Sequence, residues 1–190
     1  DGLPRMDRDS ESLNVLMDMG LKRDDIHFLG KDLYIPDGRL YEHIEQVYQG
    51  ILNLLNSVCT LKYLYILAWE GGHQDHDAVH VIGLALGKKL EILDKTFQFT
   101  LYTGDRLPWI LFKLFSPLSN NGSVISYKIP WKLRLHFIKY TISYVSQAST
   151  WVGLFPFFLI HYLFRGTQVL QHVDVKRVLV APHSGKLLYE

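Results

Sequence analysis

Residues 61–72 read Leu61-Lys-Tyr-Leu-Tyr-Ile-Leu-Ala-Trp69-Glu70-Gly71-Gly72, and His73-Gln-Asp-His-Asp77-Ala-Val-His80 follows directly. The run from Leu61 to Trp69 is apolar, β-branched and aromatic, which predicts a buried strand. Glu70 and the two glycines end it. From Asp77 to Lys89 the period becomes helical, with Ala78, Val79, Ile82, Leu84 and Ala85 at the apolar positions. A strand that turns into a helix within a few residues is the first half of a βαβ unit, so the fold class depends on whether the alternation repeats on either side.

It does repeat. Upstream, Leu13, Leu16 and Met17 give Ser10–Met19 helical spacing, with Gly20 as a stop. Ile26–Leu29 is a short apolar run closed by Gly30, which predicts a strand. Asp37-Gly38 marks a turn. Leu40, Ile44, Val47, Ile51, Leu54 and Leu55 put one apolar face on a helix over Arg39–Asn56. Downstream, Thr96–Tyr102 alternates like a strand. Leu107–Phe115 and Trp131–Gln147 read as helices, joined by a loop rich in Ser, Asn and Gly over Ser116–Ser126. A last short strand is predicted over Val178–Val180, ahead of Pro182-His183-Ser184-Gly185. The pattern predicts an α/β fold with a mostly parallel sheet. No internal domain boundary is visible over residues 1–190.

Composition limits the function. The 190 residues are 48% hydrophobic and 21% charged, enough apolar material for one sizeable core. A net charge of +1 argues against a nucleic-acid partner. The balance shifts mildly from acidic over residues 1–50 to basic over residues 51–190. The single cysteine, Cys59, excludes a disulfide framework and a cysteine zinc finger, and it reads as a buried structural residue. No secretory signal opens the chain, and the expected location is cytoplasmic. Trp151–Phe164 is the most apolar stretch. It is shorter than the roughly 20 residues a bilayer crossing needs. It reads as a buried core helix, with a peripheral membrane contact as the alternative.

The densest group of chemically capable side chains is Glu70, His73, Asp75, His76, Asp77 and His80 at the strand-to-helix junction. In an open parallel α/β sheet, ligands bind at the carboxyl ends of the strands. Histidine and aspartate together suit zinc or another divalent metal. His76 and His80 are four apart and can share a helix face, whereas His73 precedes the helix. The same residues also fit a polar helix start, with Asp75 or Asp77 capping the helix and the histidines in solvent.

Glu70-Gly-Gly-His-Gln-Asp-His-Asp-Ala-Val79 resembles the second metal motif of the LmbE-like family, which includes the GlcNAc-phosphatidylinositol de-N-acetylases and bacterial N-acetyl-sugar deacetylases. That motif is His-x-Asp-His ahead of a helix. Further segments agree in order. Arg8-Asp-Ser-Glu11, Gly20-Leu21 and Phe28-Leu29-Gly30 match the family's Arg-x-x-Glu helix, Leu-Gly step and strand. Asp37-Gly38 fits the following turn. Tyr144-Val-Ser-Gln147 and the closing Pro182–Glu190 segment resemble stretches of bacterial members.

The resemblance implies a Rossmann-like three-layer fold forming one domain, and a zinc-dependent hydrolase that removes an N-acetyl or other N-acyl group from an amino sugar or its conjugate. It makes His76 the metal ligand. His73 becomes the oxyanion stabiliser, as an imidazolium, with Asp75 orienting it. Arg8 and Asp37 become substrate contacts, with a plain turn role as the alternative for Asp37, and Glu11 becomes structural. His80 lies outside the family pattern and reads as structural or surface. His183 reads as a loop residue or a cleft residue, and Trp109, Trp131 and Trp151 as core packing or as a sugar-stacking wall. The family's opening strand ends in Ala-His-Pro-Asp-Asp-Glu, which supplies the other two ligands and the base, and residues 1–190 contain no such motif. The implied chain is therefore truncated at its N-terminus, with the first strand missing and one ligand of three present. The alternative is a non-catalytic α/β remnant or partner-binding domain. The implied partner is a small-molecule or glycoconjugate substrate.

Overall fold

Strand and helix form on either side of Glu70, as the alternation requires. The computed structural model describes residues 5–57, 60–103, 113–118, 120–174, 176, 180–181, 183 and 187–189. Strand β1 spans Leu64–Leu67 and helix α4 spans Gln74–Lys89. Strand β2, Thr96–Phe99, lies parallel to β1 with Leu64 opposite Thr96 and Leu67 opposite Phe99. The segment β1-α4-β2 is therefore a βαβ unit. The amphipathic stretch after Asp37 forms helix α3, Ile44–Leu55.

A cluster of Ile35, Val47, Ile82 and Leu86 is buried between α3 and α4, with Ile44, Ile51 and Leu64 packed against it. Each such side chain contributes roughly 1.5–3 kcal/mol when fully buried, so this cluster fixes α4 against β1. The contact is tight at Gly83, where any Cβ would run into the Ile66 side chain. Burial alternates along the strand. Leu64 and Ile66 face the helices, while Tyr63 and Tyr65 are half exposed on the other face, beside Phe97. The strand is thus half-buried at a sheet edge, where its apolar run had predicted burial on both faces.

The sheet is mixed rather than mostly parallel. Its order is β1-β2-β6-β5, with β5 at Val124–Lys128 and β6 at Thr167–His172, and β6 runs antiparallel to β2. Neither later strand stood out in the sequence. Ser and Asn hide Val124-Ile125 inside an apparent loop. Gln171 interrupts the apolar pattern of β6, yet it is buried, where its amide bonds Leu118 N–H, Leu118 O and Gly122 O. The predicted strand over Ile26–Leu29 does not form. Ile26 is buried, but Leu29 already starts the short helix α2, Leu29–Asp32. Phe115 is likewise not helical. Strand β4, Lys113–Leu114, pairs antiparallel with β3, Tyr102–Thr103. The rest of the helix predicted there, most of the strand over Val178–Val180, and Cys59 lie outside the described residues.

The chain divides into two compact units. The larger, residues 29–127 and 168–190, holds the elements described so far, apart from the last residue of β5 and the first of β6. The smaller combines the chain up to Phe28 with Lys128–Thr167. It contains helices α1 (Arg5–Asp18), α5 (Trp131–Ser143) and α6 (Ala148–Ile160), with a π-helical turn over His161–Arg165. Inside it, Glu11 accepts hydrogen bonds from the Ser146 N–H and hydroxyl. The Arg8 guanidinium donates to the Gln147 amide oxygen at 2.7 and 3.0 Å, with the amide oriented by those bonds. Arg134 is buried and donates to Ile129 O at 2.7 Å. The apolar stretch ending at Phe164 is not simply a core helix. Phe158 and Tyr162 are buried, while Val152 and Phe164 are 78% and 80% exposed.

Candidate functional site

The site grows from the end of β1. Glu70 is 1% exposed, and its carboxylate accepts the N–H groups of Leu101 at 2.9 Å and Tyr102 at 3.3 Å. Burial pushes its pKa above the usual carboxylate range. The next residue, Gly71, has φ +69, and a Cβ there would collide with Leu187. Gly72 lies so close to β3 that a Cβ would sit 2.5 Å from the Tyr102 carbonyl oxygen. Both positions require glycine because neighbouring chain closes over the turn.

His73 caps α4. Its Nδ1 accepts the Asp75 N–H at 3.1 Å, which leaves the ring proton on Nε2 in the neutral tautomer. The His76 ring lies 5.0 Å from the His73 ring, centroid to centroid, and 5.5 Å from the edge-on Tyr102 ring. Its Nδ1 is buried and makes no hydrogen bond. The nearest carboxylate, Glu70 Oε1, is 3.6 Å away. The Tyr102 hydroxyl, pushed up to about 12 mainly by burial, stays neutral.

Asp75 turns away from His73. Its carboxylate accepts the N–H groups of Gly38 at 2.7 Å and Leu40 at 3.0 Å, while Gln74 donates to Gly38 O at 2.9 Å. The first turn of α4 thereby clamps the Asp37-Gly38 turn beside the histidines, with Asp37 exposed on it. The polar-start alternative expected Asp75 or Asp77 as the cap and solvated histidines. Instead His73 is the cap, and both histidines are partly buried.

Asp77 is buried and joins three parts of the larger unit. It accepts Glu70 N–H at 3.1 Å, Gly71 N–H at 3.2 Å and the Tyr189 hydroxyl at 2.6 Å. The closing segment is tied down further. Leu188 N–H donates to Gly71 O at 2.8 Å, and His183 Nε2 lies 3.1 Å from Glu70 O. His80 is structural: it is buried, and its Nδ1 lies 2.9 Å from Leu67 O. A cavity of about 540 Å³ opens along the Gln74, Asp77 and Ala78 stripe of α4, walled by Trp69, Tyr41 and Tyr189, and neither His73 nor His76 lines it.

His73, His76, Asp75 and the Asp37 turn thus come together in the larger unit, while Arg8 lies on α1 in the smaller one. Trp131 is 57% exposed and is not a core residue. Sequence reasoning missed Tyr102 and Tyr189, which lie 32 and 112 residues from their partners Glu70 and Asp77 and carry no local signal. Glu70 did leave one, as a carboxylate closing an apolar strand.

The donor set fits a metal only in part. His76 offers a ring nitrogen with no hydrogen bond, 3.6 Å from the Glu70 carboxylate, but no group of three His, Cys, Asp or Glu among the described residues could hold an ion. These residues do not make a metal centre by themselves. No family model matches the chain, and no curated protein or solved structure does.

Proposed function

We propose that this chain forms one wall of an LmbE-like N-deacetylase site, belonging to a cytoplasmic zinc-dependent hydrolase that removes an N-acetyl or other N-acyl group from an amino sugar or its conjugate. One observation carries the proposal: two histidine rings 5.0 Å apart stand at the carboxyl end of a strand in a βαβ unit, beside a buried glutamate. That is where an open α/β sheet binds ligands. His76 is the ligand this chain would contribute. His73 Nε2–H would donate to the oxyanion that forms at the acyl carbon, as a neutral ring rather than an imidazolium. Asp75 acts indirectly, holding the turn that presents Asp37 to a sugar hydroxyl.

Two further features favour this family. The Arg-x-x-Glu and Tyr-x-Ser-Gln motifs meet as Arg8–Gln147 and Glu11–Ser146 pairs. In addition, β1 is an edge strand, so a further strand bearing the missing acidic ligands has a place to pair. A three-layer Rossmann-like arrangement also needs a helical layer over Tyr63 and Tyr65. The second reading, a non-catalytic remnant, is favoured by the incomplete donor set.

The test uses the complete open reading frame that contains this chain. For a deacetylase, the purified protein holds stoichiometric zinc and releases acetate from N-acetylglucosamine conjugates. His76→Ala loses zinc and activity together. His73→Ala keeps zinc but lowers kcat about 10²–10³-fold, the usual cost of one oxyanion donor. Absence of zinc and of activity in that protein establishes the remnant.

A further inference from the structure

Helices α5 and α6 carry two features that the site does not use. The first is a charge pattern: residues 128–165 contain no Asp or Glu, and Lys128, Lys132, Lys139 and Arg165 among them are exposed. The second is exposed apolar surface at helical spacing. On α5, Trp131, Leu135 and Ile142 are 57%, 58% and 65% exposed and lie along one stripe at i, i+4 and i+11. Lys132 and Lys139, seven residues apart and both exposed, share the flank of that stripe. On α6 and the turn after it, Val152, Ile160 and Phe164 are likewise exposed, while Phe158 and Tyr162 point inward. Among the described residues no helix is long and apolar enough to cross a membrane.

We propose that the α5–α6 face of the smaller unit is an interfacial docking surface for a bilayer containing anionic lipid. Aromatic and aliphatic side chains on a helix face, with lysines at its edge, lie at the boundary between headgroups and acyl chains. The stretch from Lys128 to Arg165 brings no carboxylate of its own towards anionic headgroups, the acidic neighbour on α5 being Asp18 of α1 at Tyr140, and each basic residue near such a surface adds attraction. The same charge pattern opposes the other obvious partner, a second copy of this face, which would bring like charges together. Docking of this kind is independent of the deacetylase proposal. It would hold the chain at the surface where lipid-linked sugars are found, but it requires no catalysis.

Vesicle flotation of the full chain tests it. The probes are vesicles of phosphatidylcholine alone and of phosphatidylcholine mixed with phosphatidylserine. The chain is expected to float with the mixed vesicles, to float weakly with phosphatidylcholine, and to be released by added salt. Lys132→Glu with Lys139→Glu should weaken binding by about 5-fold or more for each residue. Leu135→Ser with Ile142→Ser should weaken it while leaving the far-ultraviolet circular dichroism unchanged, because both side chains already face solvent. Equal recovery with and without mixed vesicles at low salt overturns the proposal. So does undiminished binding by the charge-reversed pair. Self-association through this face, with flotation absent, assigns the surface to a second copy and also overturns it.

Discussion

Two sets of residues at the start of α4 use the same residue types for opposite ends. His73, Asp75 and His76 form one set, Asp77 and His80 the other. Asp77 and His80 point at β1 and its continuation, and both are buried with their hydrogen bonds made to backbone of the same unit. His76 packs against Tyr102 of β3 and His73 against the His76 ring, both stay partly open, and the His76 Nδ1 has no hydrogen bond. A rotation of about 100° per residue separates a residue that staples the fold from one that can meet a ligand. Residue type does not distinguish the two roles. Register against the strand does.

The comparison is broken most easily at the aspartates. Asp77→Ala should cost about 3 kcal/mol, because it strands the buried N–H groups of Glu70 and Gly71 and releases the Tyr189 hydroxyl. Asp75→Ala should cost about 1 kcal/mol, since water can reach the Gly38 and Leu40 N–H groups it serves. Urea unfolding of both variants measures the difference, and equal losses would erase the distinction between the two aspartates. Tyr189→Phe should reproduce about half of the Asp77→Ala loss, as one charge-assisted bond removed without a cavity.

The histidines sharpen it. His80→Ala should destabilise by about 2 kcal/mol, through lost packing and an orphaned Leu67 carbonyl. His76→Ala should cost about 1 kcal/mol, less than His80→Ala, because the ring is partly open and its Nδ1 makes only a 3.6 Å contact with Glu70 rather than a hydrogen bond. A large loss in His76→Ala would mean that the ring is a structural support and would remove the best candidate ligand from the site.

What was legible in the sequence follows the same line. The βαβ unit could be read because Leu64, Ile66, Ile82 and Leu86 satisfy local periods. The site could be located because Gly71, Gly72 and the histidines are consecutive. Asp75 could not be assigned, since its partners lie 35 and 37 residues upstream. Strands β5 and β6 were illegible for a related reason. Gln171 is a core residue only because Leu118 and Gly122, 53 and 49 residues upstream, satisfy its amide. A polar residue buried by a distant partner breaks a hydrophobic pattern without breaking the strand.

The smallest effect concerns pH, where the two ends of the junction pull in opposite directions. Burial lowers the His80 pKa from its ordinary 6.5, so the unfolded chain accepts a proton that the folded chain refuses. Its contribution is present above 6.5 and is lost as pH falls below that value. Burial raises the Glu70 pKa from its ordinary 4.5, so the folded chain keeps a proton that the unfolded chain gives up. That contribution is present below 4.5 and is lost as pH rises through the folded-state value. In the interval between 4.5 and 6.5 the two slopes oppose each other. Melting temperature against pH therefore separates them by substitution. His80→Gln should remove the rising slope and leave stability falling as pH increases across the interval. Glu70→Gln, which keeps an amide oxygen for the Leu101 N–H, should remove the falling slope and leave stability rising with pH. Profiles for both variants that run parallel to the parent would mean that neither group changes its proton affinity on folding, and the burial of His80 and Glu70 would then not hold in solution.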